Sequence, residues 1–165
     1  MELQTYIDET CDYMKKIKEH KLYVRQYSQL NLCIVKAYHN RVYDYDTYPW
    51  IKYCRGVVID TNTNKIVCLP PQKGFQTNDI QGLIDEYDEE HVYEPLIDGT
   101  MVNMFYHNDE WMIATRSNIG AKNSWDGKQS FLTMFLEVNG SEWFTTLNKS
   151  YCYSFLLHHV KNRNV

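Results

Sequence analysis

Short runs of β-branched and aromatic residues, separated by polar turns, restrict the fold of this chain more than any other feature. In the first half such runs cover residues 22–27, 32–38 and 53–60, and each has the length and composition of a strand. The polar residues 61–64, Thr-Asn-Thr-Asn, predict a hairpin that joins residues 57–59 to residues 65–69. Further strands are predicted over residues 92–97, 102–106, 110–115 and 151–158, with His107-Asn108-Asp109 as a tight connection.

Three helices complete the predicted fold. Apolar residues at helical spacing predict an amphipathic helix over residues 2–20, and a short helix is predicted over residues 80–87 with Asn78 or Asp79 as its cap. A third spans residues 129–138, with Phe131, Met134, Phe135 and Val138 on its buried face. The expected architecture is α+β, with two mainly antiparallel sheets and flanking helices on the outside. We expect a single domain over residues 1–165, with the helix in residues 1–21 and the sheet core in residues 22–165.

Composition restricts the class of protein and its partners. A net charge of −4 with 23% charged residues argues against a chain that grips long nucleic acids, but it allows a local basic pocket. No apolar run approaches the ~20 residues of a membrane span and no apolar leader opens the chain, so we expect no membrane association. Five scattered cysteines without C-x-x-C spacing predict neither disulfides nor a zinc site. A cytoplasmic location is expected, in a host cell if the protein is viral.

Five segments resemble, in the same order, the motifs of RNA ligases of the phage T4 RNA ligase 1 type and of the related mRNA capping enzymes. The central segment is Leu96-Ile97-Asp98-Gly99, which is similar to a Lys-x-Asp-Gly signature whose lysine attacks the α-phosphate of ATP or GTP. The other four are Arg55-Gly56 in the predicted strand 53–60, a Pro-x-x-Lys segment in residues 70–79, Thr115-Arg116-Ser117 at the end of a return strand, and residues 153–165. Together the segments cover roughly residues 30 to 165.

The resemblance implies a nucleotidyltransferase fold, as in the adenylation domains of RNA ligases, with a nucleotide base held between two sheets. It also implies that basic side chains face the phosphates, a role that suits the guanidinium of Arg55. Two plainer interpretations remain open: Arg55 forms a surface ion pair, and Asp98-Gly99 is a strand-end turn. The nucleotide- or RNA-binding residues that the resemblance implies are Arg55, Lys73, Phe75, Asp98, Gly99 and Arg116.

The departures from the family pattern predict the loss of catalysis. Leu96 stands at the lysine position and has no nucleophilic atom, and Pro95 replaces a frequent glutamate beside it. Leu156 stands where the family has a glutamate that orients the ribose or a metal, and the chain reaches Val165 without the two last family motifs. We therefore expect a pseudoenzyme with no catalytic residue, no metal and no cofactor.

Trp125 is the aromatic side chain most suited to stack on a base, because it lies in the polar, glycine-containing stretch 122–128. Most other aromatic residues are expected in the core. Adjacent residues on a strand point to opposite faces, so His158 and His159 are interpreted as structural and not as a metal pair. The acidic run 85–90 is interpreted as a solvated surface, with a docking surface for a partner as the alternative.

These inferences predict a non-catalytic module that binds a nucleotide or an RNA 5′ end. Its sharpest form is an mRNA cap-binding protein that acts in translation or mRNA processing, with protein partners in a larger complex. One alternative is a fragment or lysine mutant of an ATP-dependent RNA ligase. Another is a pure interaction scaffold whose slot is filled by side chains.

Overall fold

The computed structural model describes residues 2–74, 94–95, 97–140 and 143–162, with Trp143 described by its backbone alone. The helix predicted over residues 80–87, the acidic run 85–90, Phe75 and Leu96 lie outside the described residues. Of the strand predicted over residues 92–97, only Glu94, Pro95 and Ile97 are described, and none of the three belongs to a strand. That prediction is wrong at these positions, where proline cannot donate to a sheet ladder.

The first sheet contains four antiparallel strands in the order β1-β2-β3-β4. They are β1 (Tyr23–Tyr27), β2 (Leu32–Lys36), β3 (Arg55–Asp60) and β4 (Lys65–Cys68). This arrangement confirms the predicted strands and the hairpin through residues 61–64, with ends one to two residues shorter than expected. Four successive residues of β2 are buried, which fits a strand that is covered on both faces.

The second sheet contains three antiparallel strands in the order β6-β5-β7. They are β5 (Thr100–His107), β6 (Glu110–Thr115) and β7 (Tyr153–Leu157). Asn108 and Asp109 connect β5 to β6 with φ angles of 48° and 62°, the left-handed pair that a two-residue hairpin turn requires. The predicted tight connection is therefore confirmed.

The described helices are α1 (Leu3–Glu9), α2 (Tyr13–Glu19) and α3 (Phe131–Asn139). The prediction of one helix over residues 2–20 is wrong, because Asp12 adopts a left-handed φ of 53° and separates α1 from α2. Three of the four residues assigned to the buried face of α3 are buried, whereas Val138 is 56% exposed. Val138 lies in the last turn of the helix, beyond the part that packs on the second sheet.

The elements form four layers held together by three apolar clusters. One face of the first sheet packs against α1, α2 and the 3₁₀ helix Pro49–Tyr53, which contributes Trp50. Its other face packs against the second sheet, where Phe105 and Ala114 meet Ile34 and Val58. The far face of the second sheet is covered by α3. The α+β architecture with two antiparallel sheets and outer helices is thus confirmed.

Within the described residues, the structure contains no helix long and apolar enough to cross a membrane. All five cysteines are free thiols. The same part of the chain brings together no group of three or more His, Cys, Asp or Glu side chains that could hold a metal ion.

Candidate functional site

Strand register brings the ends of five strands to one end of the stacked sheets. In the first sheet Lys36, the last residue of β2, lies opposite Arg55, the first residue of β3. In the second sheet the start of β5 pairs with the ends of both neighbours, because Thr100 lies opposite Leu157 and Val102 lies opposite Thr115. Side chains that are far apart in sequence therefore meet where the two sheets adjoin.

Gly56 allows the two sheets to approach at this end. The pairing of β2 with β3 shifts between Val35 and Lys36 and leaves Gly56 as a β-bulge with a φ of 99°. A Cβ atom at Gly56 would lie 2.7 Å from the Cα and 2.9 Å from the carbonyl oxygen of Arg116. Glycine therefore serves both the bulge conformation and the close packing of β3 on the residue that follows β6. The local Arg-Gly sequence thus places Arg55 beside Arg116.

Two adjoining pockets open at this end of the molecule and share the wall formed by Arg55 and Arg116. The larger has a volume of about 470 Å³ and lies between the sheets, and Lys36, Gly99, Thr100, Asn123, Trp125 and Phe131 are among its lining residues. The smaller has a volume of about 300 Å³, and Tyr45, Lys52, Lys73 and Gly74 are among its lining residues. None of the described residues that line either pocket is acidic. The chain thus carries a local basic site despite its net charge of −4.

Each of the two arginines is anchored by one hydrogen bond to a backbone oxygen of a described residue. Arg55 donates from Nη1 to the carbonyl oxygen of Gln72 at 3.1 Å, and Arg116 donates from Nη2 to that of Ala37 at 2.7 Å. In the described part of the chain neither forms an ion pair with a carboxylate. Burial and the charge of Arg55 lower the pKa of Arg116. Among the described residues the positive charge of the cluster has no carboxylate partner, and an anion could compensate it.

Two lysines extend the basic surface, each held over an aromatic ring. Lys73 donates to the hydroxyl of Tyr45 at 3.2 Å and lies 4.8 Å from the centre of that ring. Lys36 lies 4.9 Å from the ring centre of Tyr23, and burial together with the charge of Arg116 lowers the pKa of Lys36. These cation–π contacts fix the ammonium groups without neutralising them.

Trp125 forms the apolar rim of the larger pocket. Its indole is 65% exposed, donates from Nε1 to the hydroxyl of Thr100 at 3.3 Å, and meets the edge of Phe131 with 6.3 Å between ring centres. A turn at Gly127, with a φ of 76° and a hydrogen bond from its N–H to Ser124 Oγ, shapes the loop that carries the indole. One end of the pocket therefore offers a flat aromatic face and the other offers positive charge.

The predicted site residues divide into three groups. Arg55, Gly99, Arg116 and Trp125 line the larger pocket, and Lys73 joins the two arginines around the smaller one. Asp98 was predicted to bind the nucleotide together with Arg55 and Lys73, but it lines neither pocket: its exposed carboxylate accepts the N–H of Gly99 at 2.8 Å. Phe75 and Leu96 lie outside the described residues.

Sequence reasoning missed several lining residues, among them Lys36, Tyr38, His39, Tyr45 and Lys52. Lys36 could have been found, because an antiparallel pairing of β2 with β3 places it beside Arg55. Residues 37–52 carry no local motif that indicates a position at the site.

The sequence analysis also singled out Leu156, His158 and His159. Leu156 is 49% exposed and lies opposite Met101, one of the lining residues of the larger pocket. His159 bonds the carboxylate of Glu137 at 2.9 Å, which ties the end of β7 to α3. His158 is exposed, and its ring lies 3.0 Å from the point where a Cβ atom on Gly99 would sit. The interpretation of both histidines as structural remains a prediction.

Comparison with known proteins finds distant viral relatives. A protein named "Putative RNA-ligase" from a Malawi tick isolate of African swine fever virus is 27% identical over 131 aligned residues. The protein of the same name from a South African Pretoriuskop isolate is 26% identical over the same length. No protein-family profile and no solved structure matches the chain. Each alignment covers 64% of this chain and 29% of the relative, so the chain is similar, at a distance, to part of larger RNA-ligase-like viral proteins.

Proposed function

We propose that the cleft between the sheets binds a nucleotide or the phosphorylated 5′ end of an RNA without forming a covalent bond. The observation that carries the proposal is the convergence of Arg55, Arg116 and Lys36 beside an exposed indole, with no acidic lining residue in the described part of the chain. Guanidinium groups bind phosphate oxygens in a bidentate manner, and an aromatic face stacks on any base. The cleft thus offers complementary contacts to both parts of one nucleotide.

The module is non-catalytic in this proposal because its sequence lacks the groups that the reaction needs. Leu96 stands at the position of the lysine nucleophile in the resemblance, and a hydrocarbon side chain cannot attack phosphorus. Leu156 stands at the position of an acid that orients the ribose or a metal. Ligand retention without turnover is the expected behaviour.

The sharpest form of the proposal is recognition of an mRNA cap, in translation or mRNA processing in the cytoplasm of a host cell and in a complex with protein partners. An N7-methylated guanine carries a positive charge, which strengthens stacking on an indole. Trp125 offers such a face at 65% exposure. The phosphates that follow the cap would then reach Arg55 and Arg116.

Titration calorimetry with cap analogue, GTP, ATP and 5′-phosphorylated RNA tests the proposal. We expect dissociation constants below millimolar for at least one phosphorylated ligand, and a cap ligand requires methylated guanine to bind more tightly than unmethylated guanine. If none of the four binds more tightly than millimolar, the proposal is wrong. Equal affinity for both guanines would exclude the cap alone.

Variants identify the site that binds the ligand. Arg55→Ala and Lys73→Ala should each weaken phosphorylated ligands by roughly 1–3 kcal/mol, the range for a lost charge-assisted contact. Lys18→Ala is the matched control, because it removes one positive charge from the exposed surface of α2 outside both pockets. Equal losses in Lys18→Ala and Arg55→Ala would show general electrostatic attraction and no defined site.

A second candidate function is that of the nucleotide-binding part of an RNA ligase. It is favoured by the names of the viral relatives and by the match to only 29% of their length. Incubation with Mg²⁺ and α-labelled ATP or GTP distinguishes the two functions, since a labelled protein band would contradict the non-catalytic proposal. We expect Leu96→Lys alone to give no sealed RNA, because Leu156 also replaces an acidic residue.

A further inference from the structure

The hydroxyl of Thr100 is the meeting point of two hydrogen bonds at the wall of the larger pocket. It accepts the indole N–H of Trp125 at 3.3 Å and an amide N–H of Asn162 at 3.1 Å. Asn162 is only 9% exposed, and its amide nitrogen also donates to the carbonyl oxygen of Leu157 at 3.3 Å. A buried side chain from beyond β7 is thus connected through Thr100 to the exposed ring at the rim of the site.

The orientation of the Asn162 amide is fixed by its neighbours. The Leu157 carbonyl can only accept, so the amide must turn its NH₂ group and not its oxygen toward Leu157 and Thr100. The amide oxygen, Oδ1, is buried and has no hydrogen-bond partner in the described part of the chain. An unpaired buried acceptor costs roughly 1–3 kcal/mol. In this arrangement Oδ1 of Asn162 lacks a partner, while its NH₂ group donates to both Leu157 and Thr100.

The two hydrogen bonds that the Thr100 hydroxyl accepts restrict the direction of its own hydrogen. A threonine hydroxyl has two acceptor lone pairs and one hydrogen. Both lone pairs are used by Trp125 and Asn162, and no described residue accepts the hydrogen. The O–H bond must therefore point away from both donors. Because Thr100 lines the larger pocket, its hydroxyl hydrogen is available to an acceptor atom of an occupant.

We propose that Thr100 donates a hydrogen bond to an acceptor atom of the base or ribose of the bound nucleotide, and that Asn162 is a positioning residue that forces this direction. The inference rests on the proposed function of the cleft and specifies its ligand further: the nucleoside that stacks on Trp125 carries an oxygen or ring nitrogen acceptor beside the indole. The separate hydrogen bond that the Trp125 indole donates to Thr100 holds the indole in its stacking orientation before the ligand arrives, which lowers the entropy lost on binding.

Isosteric variants of Thr100 test the donor. Thr100→Ser keeps the hydroxyl and should retain the affinity for GTP, whereas Thr100→Val keeps the shape and should weaken GTP about 3- to 10-fold, as expected for one neutral hydrogen bond. Inorganic pyrophosphate has no nucleoside and should bind both variants equally. Unchanged GTP affinity in Thr100→Val would overturn the proposal, as would equal weakening of GTP and pyrophosphate.

Two variants of Asn162 test the positioning role at pH 8. In Asn162→Asp a carboxylate replaces the donor and takes the Thr100 hydrogen, so the affinity for GTP should fall as far as in Thr100→Val. In Asn162→Leu the hydroxyl regains free rotation and the loss should be smaller. Equal losses in the two variants, measured well below their melting temperatures, would overturn the assignment to Asn162.

A measurement without ligand separates this inference from the proposed function. The Trp125 indole N–H resonance, assigned by its disappearance in Trp125→Phe, should exchange faster with water in Thr100→Val and at the wild-type rate in Thr100→Ser. If no nucleotide binds the wild-type protein, the proposed function is wrong even where these rates follow the expectation. If nucleotides bind and the rates do not differ, the role of Thr100 is wrong.

Discussion

Gly56 is the residue on which the geometry of the site depends most directly. Its missing side chain lets the backbone of Arg116 lie against β3, and its φ of 99° makes the bulge that ends the pairing with β2 at Arg55. Any side chain here must displace the segment that carries Arg116. The positions of the Arg55 and Arg116 guanidinium groups therefore depend on the absence of a side chain at residue 56.

We expect Gly56→Ala to destabilise the protein by roughly 3 kcal/mol or more, because strain and a backbone clash coincide. Two other glycines separate these causes. Gly127 has a φ of 76° but open space around it, so Gly127→Ala should cost about 1–2 kcal/mol. Gly74 has neither feature, and Gly74→Ala should stay within about 0.5 kcal/mol of the wild type. Urea denaturation measures all three, and a Gly56→Ala cost no larger than that of Gly127→Ala would contradict the clash.

Replacing Lys36 is expected to raise the free energy of unfolding, whereas Gly56→Ala lowers it. Burial and the charge of Arg116 lower the pKa of Lys36, so the folded state holds this proton less tightly than the unfolded state does. The charged form therefore destabilises the fold below the lowered pKa, and this cost disappears as the pH rises toward the ordinary lysine value. Lys36→Met should raise the free energy of unfolding at pH 7, by less than about 1 kcal/mol because the group is partly solvated.

The gain from Lys36→Met should shrink near pH 10.5, where the wild-type amine loses its charge, and the variant should bind phosphate-bearing ligands more weakly. Urea denaturation at the two pH values checks the sign. A variant less stable than the wild type at pH 7 would show that the contact between Lys36 and the ring of Tyr23 outweighs the repulsion.

At the scale of elements, the strands could be predicted because β-branched runs and turn residues are local signals. The break between α1 and α2 could not, since Ile7, Cys11 and Met14 keep a helical spacing across Asp12 in the sequence. In the structure the buried residues are instead Leu3 and Ile7 of α1 and Tyr13 and Ile17 of α2, while Cys11 is exposed. With Asp12 in the left-handed conformation, the buried residues of α1 and α2 pack into one apolar cluster. Tertiary contacts override local propensity at such places.

The candidate site shows the same division between local and long-range information. Arg55 and Arg116 could be singled out by short motifs, whereas the Thr100–Asn162 contact joins residues 62 positions apart and has no sequence signature. Asp98 was expected in the pocket, yet its carboxylate is used locally by the N–H of Gly99. A short motif identifies residue types and not the partner that each side chain selects.

The N-cap of α3, Ser130, allows a test of how much a single element contributes to stability. The first residue of this helix, Phe131, forms part of the floor of the larger pocket. Ser130 Oγ accepts the N–H of Thr133 at 3.1 Å, so Ser130→Ala should cost about 1 kcal/mol of stability. Ser150 is exposed in a turn, and Ser150→Ala is a control that should be neutral. Equal stabilities of the two variants in urea would show that the cap contributes little.

For the whole molecule, the basic cluster, which has no carboxylate partner among the described residues, predicts stabilisation by multivalent anions. Pyrophosphate at ten times its dissociation constant should add about 1.4 kcal/mol, or roughly 3–5 °C in melting temperature, relative to chloride at equal ionic strength. Arg116→Ala should remove most of this increase and Lys18→Ala should not. An equal rise in both variants, measured by differential scanning fluorimetry, would point to a general salt effect.

The larger pocket takes one wall from each sheet, so an occupant should change how the molecule unfolds. Without an occupant, we expect the three-stranded sheet with α3 to open away from the four-stranded sheet as a separate cooperative unit. The described contacts between the two sheets are the layer around Phe105, the close approach at Gly56 and a few hydrogen bonds, such as that from Arg116 to the carbonyl oxygen of Ala37. An occupant that touches both walls joins the units, so partial opening must first expel it. Saturating ligand should merge two stages of unfolding into one.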